Sequence, residues 1–151
     1  KADDVAIAKQ SMTKLNSIGK ELGKISGVNA MTDVTGFGLL GHLVEMCEGS
    51  GVSATIDFDQ IPVFPQAAGY LEQGCVPGGT YRNWESYGKY IKLNTDKHWE
   101  ILCDPQTSGG LLIAVDDEHC REVEQLLNDH RLEAKPIGEI LAQQGQLVEV
   151  V

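Results

Sequence analysis

The sequence predicts an α+β domain in which helices cover a mixed β-sheet. Three observations support this class: some segments space apolar residues by three and four as helices do, others alternate apolar and polar residues as strands do, and the two kinds lack the regular alternation of a doubly wound parallel fold. With 151 residues, 42% of them hydrophobic, the chain has the size and composition of one globular domain.

Helical spacing is clearest over residues 4–25, where one continuous helix is predicted, with Ser26 and Gly27 ending it. A second helix is predicted to follow the turn at residues 32–38 and to end at the glycines near residue 50. Two further helices are predicted, a short one at 66–73 and a longer one at 118–130.

Strand character is predicted in six segments, at residues 28–31, 52–58, 101–103, 111–115, 135–140 and 147–150. The third and fourth of these are expected to form a hairpin around a tight turn at 104–110. Residues 74–94 have no clear period and predict a long loop, of the kind that binds a ligand or covers an interface.

The charge balance excludes some partners. Twelve basic and 22 acidic side chains give a net charge of -10, which repels nucleic acid and anionic membranes. No apolar run approaches the roughly 20 residues that cross a bilayer, and the first residues have no signal-peptide character, so a cytoplasmic location is expected. Because the chain does not begin with methionine, we expect it to be a piece of a longer protein.

The most informative segment for chemistry is residues 32–38. It places Asp33 at the end of a predicted strand, just before a helix whose free amides favour anions. Magnesium prefers oxygen ligands and often binds through one or two carboxylates plus phosphate oxygens, so Asp33 is the candidate metal ligand, with Thr35 and Gly36 on the phosphate side. The alternative is structural: Asp33 or Thr35 caps the helix and the glycines permit a tight turn.

Other polar groups carry weaker signals. Residues 104–110 could form an amide-lined concavity, but a hairpin turn is the favoured interpretation, because every residue type there is common in turns. His42 is expected to face solvent or to make a hydrogen bond. Surface positions are expected for His98, His119 and His130, and the four cysteines lack the spacing of a zinc site. The aromatic and cationic residues at 81–87 predict packing against another domain or stacking on an adenine.

Two long motifs go beyond these generic patterns. Residues 31–42, M-T-D-V-T-G-F-G-L-L-G-H, and residues 104–112, D-P-Q-T-S-G-G-L-L, resemble signature segments of the selenophosphate synthetase family, also called selenide, water dikinases. Between them, Gly78, Gly79 and Thr80 with Asn83 resemble that family's intervening loop. Since all three matches occur in order, the resemblance spans nearly the whole chain.

The resemblance implies a two-lobed homodimeric enzyme that uses Mg²⁺ and converts ATP, selenide and water into selenophosphate, AMP and phosphate. Residues 1–151 would be its carboxy-terminal domain, with the three-layer α/β/α fold of the aminoimidazole ribonucleotide synthetase superfamily. The family's reactive cysteine or selenocysteine and essential lysine belong to an amino-terminal lobe absent from this sequence. Of the family's functional residues only the metal-binding aspartate carries over, as Asp33, so the domain is expected to be inactive alone.

Two other functions remain open at this point. One is a related ATP-dependent synthetase or kinase, which would share the nucleotide site and differ in its substrate. The other is a noncatalytic association module, favoured by the missing catalytic residues and the aromatic segment.

Overall fold

A computed structural model describes residues 1–94, 99–132 and 134–151 and confirms the α+β class with a mixed sheet. The described helices are α1 Ala2–Met12, α2 Gly19–Leu22, α3 Gly38–Ser50, α4 Ala67–Glu72, α5 Gly78–Tyr87, α6 Trp99–Leu102 and α7 Cys120–Asp129. The described strands are β1 Val28–Asp33, β2 Val52–Ile56, β3 Ile91–Leu93, β4 Leu111–Val115, β5 Gly138–Ala142 and β6 Val148–Val150.

The predicted continuous helix at residues 4–25 is wrong, because α1 ends at Met12 and α2 starts only at Gly19. The Thr13 hydroxyl donates to the carbonyl of Lys9 at 3.0 Å and ends the first helix, as short polar side chains do when they compete for backbone groups. Most of the apolar residues whose spacing predicted this helix are also not buried. Helix α1 has no buried residue, and Leu15 in the following loop is 83% exposed.

The strands form two sheets in the described part of the chain. The larger has the order β3-β6-β2-β5, with β6 parallel to both of its neighbours and β5 antiparallel to β2, which makes it mixed. The smaller pairs β1 with β4 in antiparallel register, so that Asp33 lies opposite Leu111. The predicted hairpin is therefore wrong: residues 99–102 form α6, and β4 pairs with the more distant β1.

The β1–β4 sheet lies between helices, which matches the three-layer α/β/α expectation. On one side, Leu22 of α2 and Val123 and Leu127 of α7 pack with Leu111 and other residues of these strands. On the other side, Leu112 joins the larger core formed by α3 with the four-stranded sheet. Alternating residues of β4 thus face different cores, as strand geometry requires.

Residues 74–94 do not form a long loop. They form α5, a 3₁₀ turn at Gly88–Tyr90 and β3. The aromatic side chains that suggested an interface pack largely within this domain: Tyr87 is buried, and Trp84 lies against Trp99 with ring centroids 5.3 Å apart. Of the aromatic and cationic residues at 81–87, only Tyr81 and Arg82 are exposed.

The remaining predicted elements are confirmed within one to three residues at most ends, including α3, β2, α4 and the two terminal strands. Gly51 ends α3 in the left-handed conformation at φ 65°. His98 lies outside the described residues. His130 is exposed as expected, whereas His119 is half-buried. None of the helices in the described ranges is long and apolar enough to span a bilayer.

Candidate functional site

The turn that follows β1 is held against residues 104–110 by backbone hydrogen bonds. The Val34 amide donates to the Gly110 carbonyl at 2.9 Å, and the Gly109 amide donates to the Val34 carbonyl at 2.8 Å. The Gln106 amide then donates to the Thr35 carbonyl at 3.0 Å. A Cβ on Gly109 would lie 3.0 Å from the Val34 carbonyl oxygen, which is tighter than most such contacts, so this approach favours glycine. The two motif segments therefore meet side by side.

Asn83 of α5 connects the same two segments. The residue is 8% exposed, and its side-chain amide donates to the carbonyls of Gly36 and Cys103, both at 2.9 Å. The Tyr87 hydroxyl, one turn further along α5, donates to the Phe37 carbonyl. Together with the Gln106 contact, these bonds engage three successive carbonyls of the turn inside the domain.

The backbone amides of residues 35–37, unlike their carbonyls, have no partner within the described ranges. No acceptor among the described residues takes a hydrogen bond from the backbone amides of Thr35, Gly36 or Phe37. Gly36 is exposed, and the position that a Cβ would occupy has no atom within 4 Å. Successive free amides at the start of the 13-residue α3 suit an anion, because the helix dipole adds partial positive charge there.

Asp33 lies at the other side of this turn, as the last residue of β1. It is exposed, and its carboxylate has no hydrogen-bond or ion-pair partner in the described part of the chain. Nor do the described residues contain a group of three or more His, Cys, Asp or Glu side chains that could hold a metal. One free carboxylate fits Mg²⁺ chemically but could not complete the coordination of the ion by itself.

Burial changes the acidity of three side chains beneath the turn. It raises the pKa of Cys103 to about 11 and raises the pKa of Tyr87 far above its ordinary value. Burial also raises the pKa of Asp104, and the side-chain amide of Gln106, which donates to that carboxylate, partly offsets the rise. Cys103 is therefore a structural thiol that stays protonated at neutral pH.

The structure decides between the alternatives for several of these residues. Phe37 occupies the N-cap of α3 and no side chain caps this helix, so the capping explanation of Asp33 and Thr35 is wrong. The Thr35 hydroxyl lies 3.2 Å from His42 Nε2 instead. His42 is buried and hydrogen-bonded, which agrees with one of its two expected roles.

Sequence reasoning missed the contributions of Asn83 and Glu45. Asn83 was assigned to a loop, although helical spacing to Tyr87 could have placed both on one face of a helix. Glu45 follows His42 by three residues, a spacing that brings side chains together on a helix, and its carboxylate lies 3.2 Å from His42 Nδ1.

Comparison with known proteins agrees with the motifs. Residues 3–151 match the family model described as AIR synthase related protein, C-terminal domain. Among curated proteins, a selenide, water dikinase of Shewanella sp. (strain MR-7) is 54% identical over 140 residues, covering 93% of this chain and 40% of that protein. One of Aeromonas hydrophila subsp. hydrophila is 50% identical over 152 residues, covering 100% of this chain and 44% of that protein. The chain thus spans less than half the length of these relatives.

Solved structures confirm the fold. Escherichia coli HypE has a TM-score of 0.64 and 24% identity, covering 88% of this chain and 34% of HypE. Thiamine-monophosphate kinase from Stenotrophomonas maltophilia K279a has a TM-score of 0.50 and 19% identity, covering 83% of this chain and 32% of the kinase. At these identities the likeness concerns the fold alone.

Proposed function

Because the chain belongs to the AIR synthase related family and corresponds to its C-terminal domain, we propose that it is the carboxy-terminal domain of a selenophosphate synthetase. The full-length enzyme makes selenophosphate, AMP and phosphate from ATP, selenide and water. It acts in the cytoplasm as a homodimer, and its nucleophile and remaining metal ligands come from the amino-terminal lobe. The observation that carries the proposal is the exposed carboxylate of Asp33 beside three free backbone amides.

In this proposal the turn binds the two charges of a magnesium–nucleotide complex separately. Asp33 is a ligand of Mg²⁺, and the amides of Thr35 and Gly36 face a phosphate group. When bound, Mg²⁺ supplies neutralisation of the phosphate charge. This chain's own contribution is to hold the carboxylate and amides in fixed relative positions, through the bonds from Asn83 and Gln106 to the turn. The domain alone is inactive, since it lacks the nucleophile and the other ligands.

The test is the substitution Asp33→Ala in the full-length protein. Removing a metal ligand that stabilises developing charge should lower selenide-dependent ATP consumption by about 100-fold or more. Asp117→Ala is the matched control, because Asp117 is exposed in a short 3₁₀ helix and is not in the proposed site. Near-normal turnover with Asp33→Ala would overturn the assignment of the ligand.

The substrate assignment is tested separately. Purified full-length protein is assayed anaerobically for ATP consumption with selenide and with an aminoribonucleotide. ATP consumption with selenide and none with the aminoribonucleotide supports the proposal. Turnover with the aminoribonucleotide and none with selenide would instead identify a related ATP-dependent synthetase.

A further inference from the structure

A chain of three polar side chains leads from the proposed site into helix α3. Thr35 Oγ1 lies 3.2 Å from His42 Nε2, and His42 Nδ1 lies 3.2 Å from Glu45 Oε2. The His42 side chain is 10% exposed, whereas the Glu45 side chain is 60% exposed. The Phe37 ring packs beside the imidazole at a centroid distance of 5.7 Å. Both ring nitrogens of a buried histidine are therefore engaged, and one of them reaches Thr35.

The outer contact decides which nitrogen carries the proton. An ionised carboxylate only accepts hydrogen bonds, so Glu45 requires a proton on His42 Nδ1. In a neutral imidazole, Nε2 then has a lone pair and acts as an acceptor. In that tautomer the Thr35 hydroxyl donates its proton to Nε2. This directs the hydroxyl proton into the domain and leaves the oxygen lone pairs for a group outside.

We propose that His42 is a positioning residue that fixes the Thr35 hydroxyl as an oxygen donor for the cation of the Asp33 site. This inference rests on the proposed function and refines it. In this arrangement the backbone amides of Thr35 and Gly36 would serve the phosphate, and Thr35 Oγ1, whose only proton is donated to His42, would offer its lone pairs to the cation. Hard cations such as Mg²⁺ accept neutral oxygen ligands beside carboxylates, which suits this pairing of Asp33 with Thr35.

The first test measures the tautomer directly and needs neither metal nor nucleotide. In the full-length protein labelled with ¹⁵N-histidine, the His42 signals should show a proton on Nδ1 and a hydrogen-bonded, unprotonated Nε2. Thr35→Val should shift the Nε2 signal. Glu45→Gln should disturb the Nδ1 signal, whereas Glu48→Gln, which makes the same charge change at an exposed position of α3, should leave it unchanged. A proton on Nε2 overturns the proposal.

The second test separates metal binding from the chemical step. His42→Leu should raise the Mg²⁺ concentration for half-maximal activity by about 10-fold or more, with turnover restored at saturating Mg²⁺. His42→Gln, whose amide oxygen can accept from Thr35, should restore part of the difference, and a purely structural role would not predict this rescue. An activation constant for His42→Leu within about twofold of wild type overturns the proposal.

If His42→Leu does not fold, two substitutions at Thr35 still test the proposal. Thr35→Ser keeps the hydroxyl and should respond to lower Mg²⁺ concentrations than the nearly isosteric Thr35→Val, which should show the weakened Mg²⁺ response. Equal Mg²⁺ responses of these two variants overturn the proposal. Failure of this inference is distinguishable from failure of the proposed function. If the proposed function fails, Asp33→Ala retains turnover. If only this inference fails, Asp33→Ala loses turnover and Thr35→Val shows a normal Mg²⁺ response.

Discussion

Asn83→Asp should destabilise the domain strongly, although the two side chains have nearly the same shape. The Asn83 amide donates to the carbonyls of Gly36 and Cys103 at 2.9 Å each, and its residue is 8% exposed. A carboxylate cannot donate, so both carbonyls lose their partner and face a negative charge. Two net hydrogen bonds and the desolvation cost of the carbonyls bring the expected loss to about 2–4 kcal/mol at pH 7.

Urea denaturation of the chain, followed by tryptophan fluorescence, measures this loss. Burial raises the folded-state pKa of the new carboxyl above its unfolded value, so the folded state binds more protons and the difference from wild type should shrink as the pH falls from 7 to 5. Asn128→Asp, at an exposed position of α7, makes the same charge change and should alter stability by less than about 1 kcal/mol. A loss at Asn83 no larger than that control, or one independent of pH, would refute the reasoning.

Two further predictions concern packing below the turn. Gly41→Ala should lower the free energy of unfolding by about 1–3 kcal/mol, because its Cβ would lie 2.7 Å from the Tyr87 ring. Gly49→Ala on the same helix meets no atom within 4 Å and should raise the free energy of unfolding by about 0.4–1 kcal/mol. Equal urea midpoints of the two variants would contradict this. Burial raises the pKa of Cys103 to about 11, so a thiol reagent at pH 8 should label exposed Cys75 quickly and Cys103 only when urea opens the domain. Fast labelling of native Cys103 would show that it is not buried.

The elements that were predicted correctly are those with clear turn or capping residues at their ends or a clear apolar period. Gly51 ends α3, and the alternating residues of β2 form a strand as expected. The errors arose where tertiary contacts decide. The short apolar run at 101–103 fits a strand or a helix turn equally well. In the structure Leu102 ends α6, Cys103 follows it, and both are buried in the larger core.

The sequence located the candidate site residues but not the contacts around them. The strand–turn–helix pattern pointed to Asp33, Thr35 and Gly36, and the resemblance pointed to Asp33; the structure places all three at the end of β1 and in the turn after it, and their roles stay predictions. The contacts that hold this turn could not be derived from periodicity, because Asn83 is 47 residues away from Gly36 in the sequence. Long-range pairing of this kind depends on the packing of α5 beside the turn, and a local pattern carries no information about it.

The charges of the turn explain why the proposed site favours a metal–nucleotide complex over either ion alone. Asp33 and a net charge of -10 repel a free polyphosphate from the amides of residues 35–37. The same free amides, with the positive end of the α3 dipole, repel a free cation from the carboxylate. Each unfavourable contact becomes favourable when cation and phosphate arrive together, because the carboxylate then faces the cation and the amides face the anion. The turn therefore suits a paired ligand, and in the proposed enzyme further ligands from the amino-terminal lobe would complete the metal's coordination.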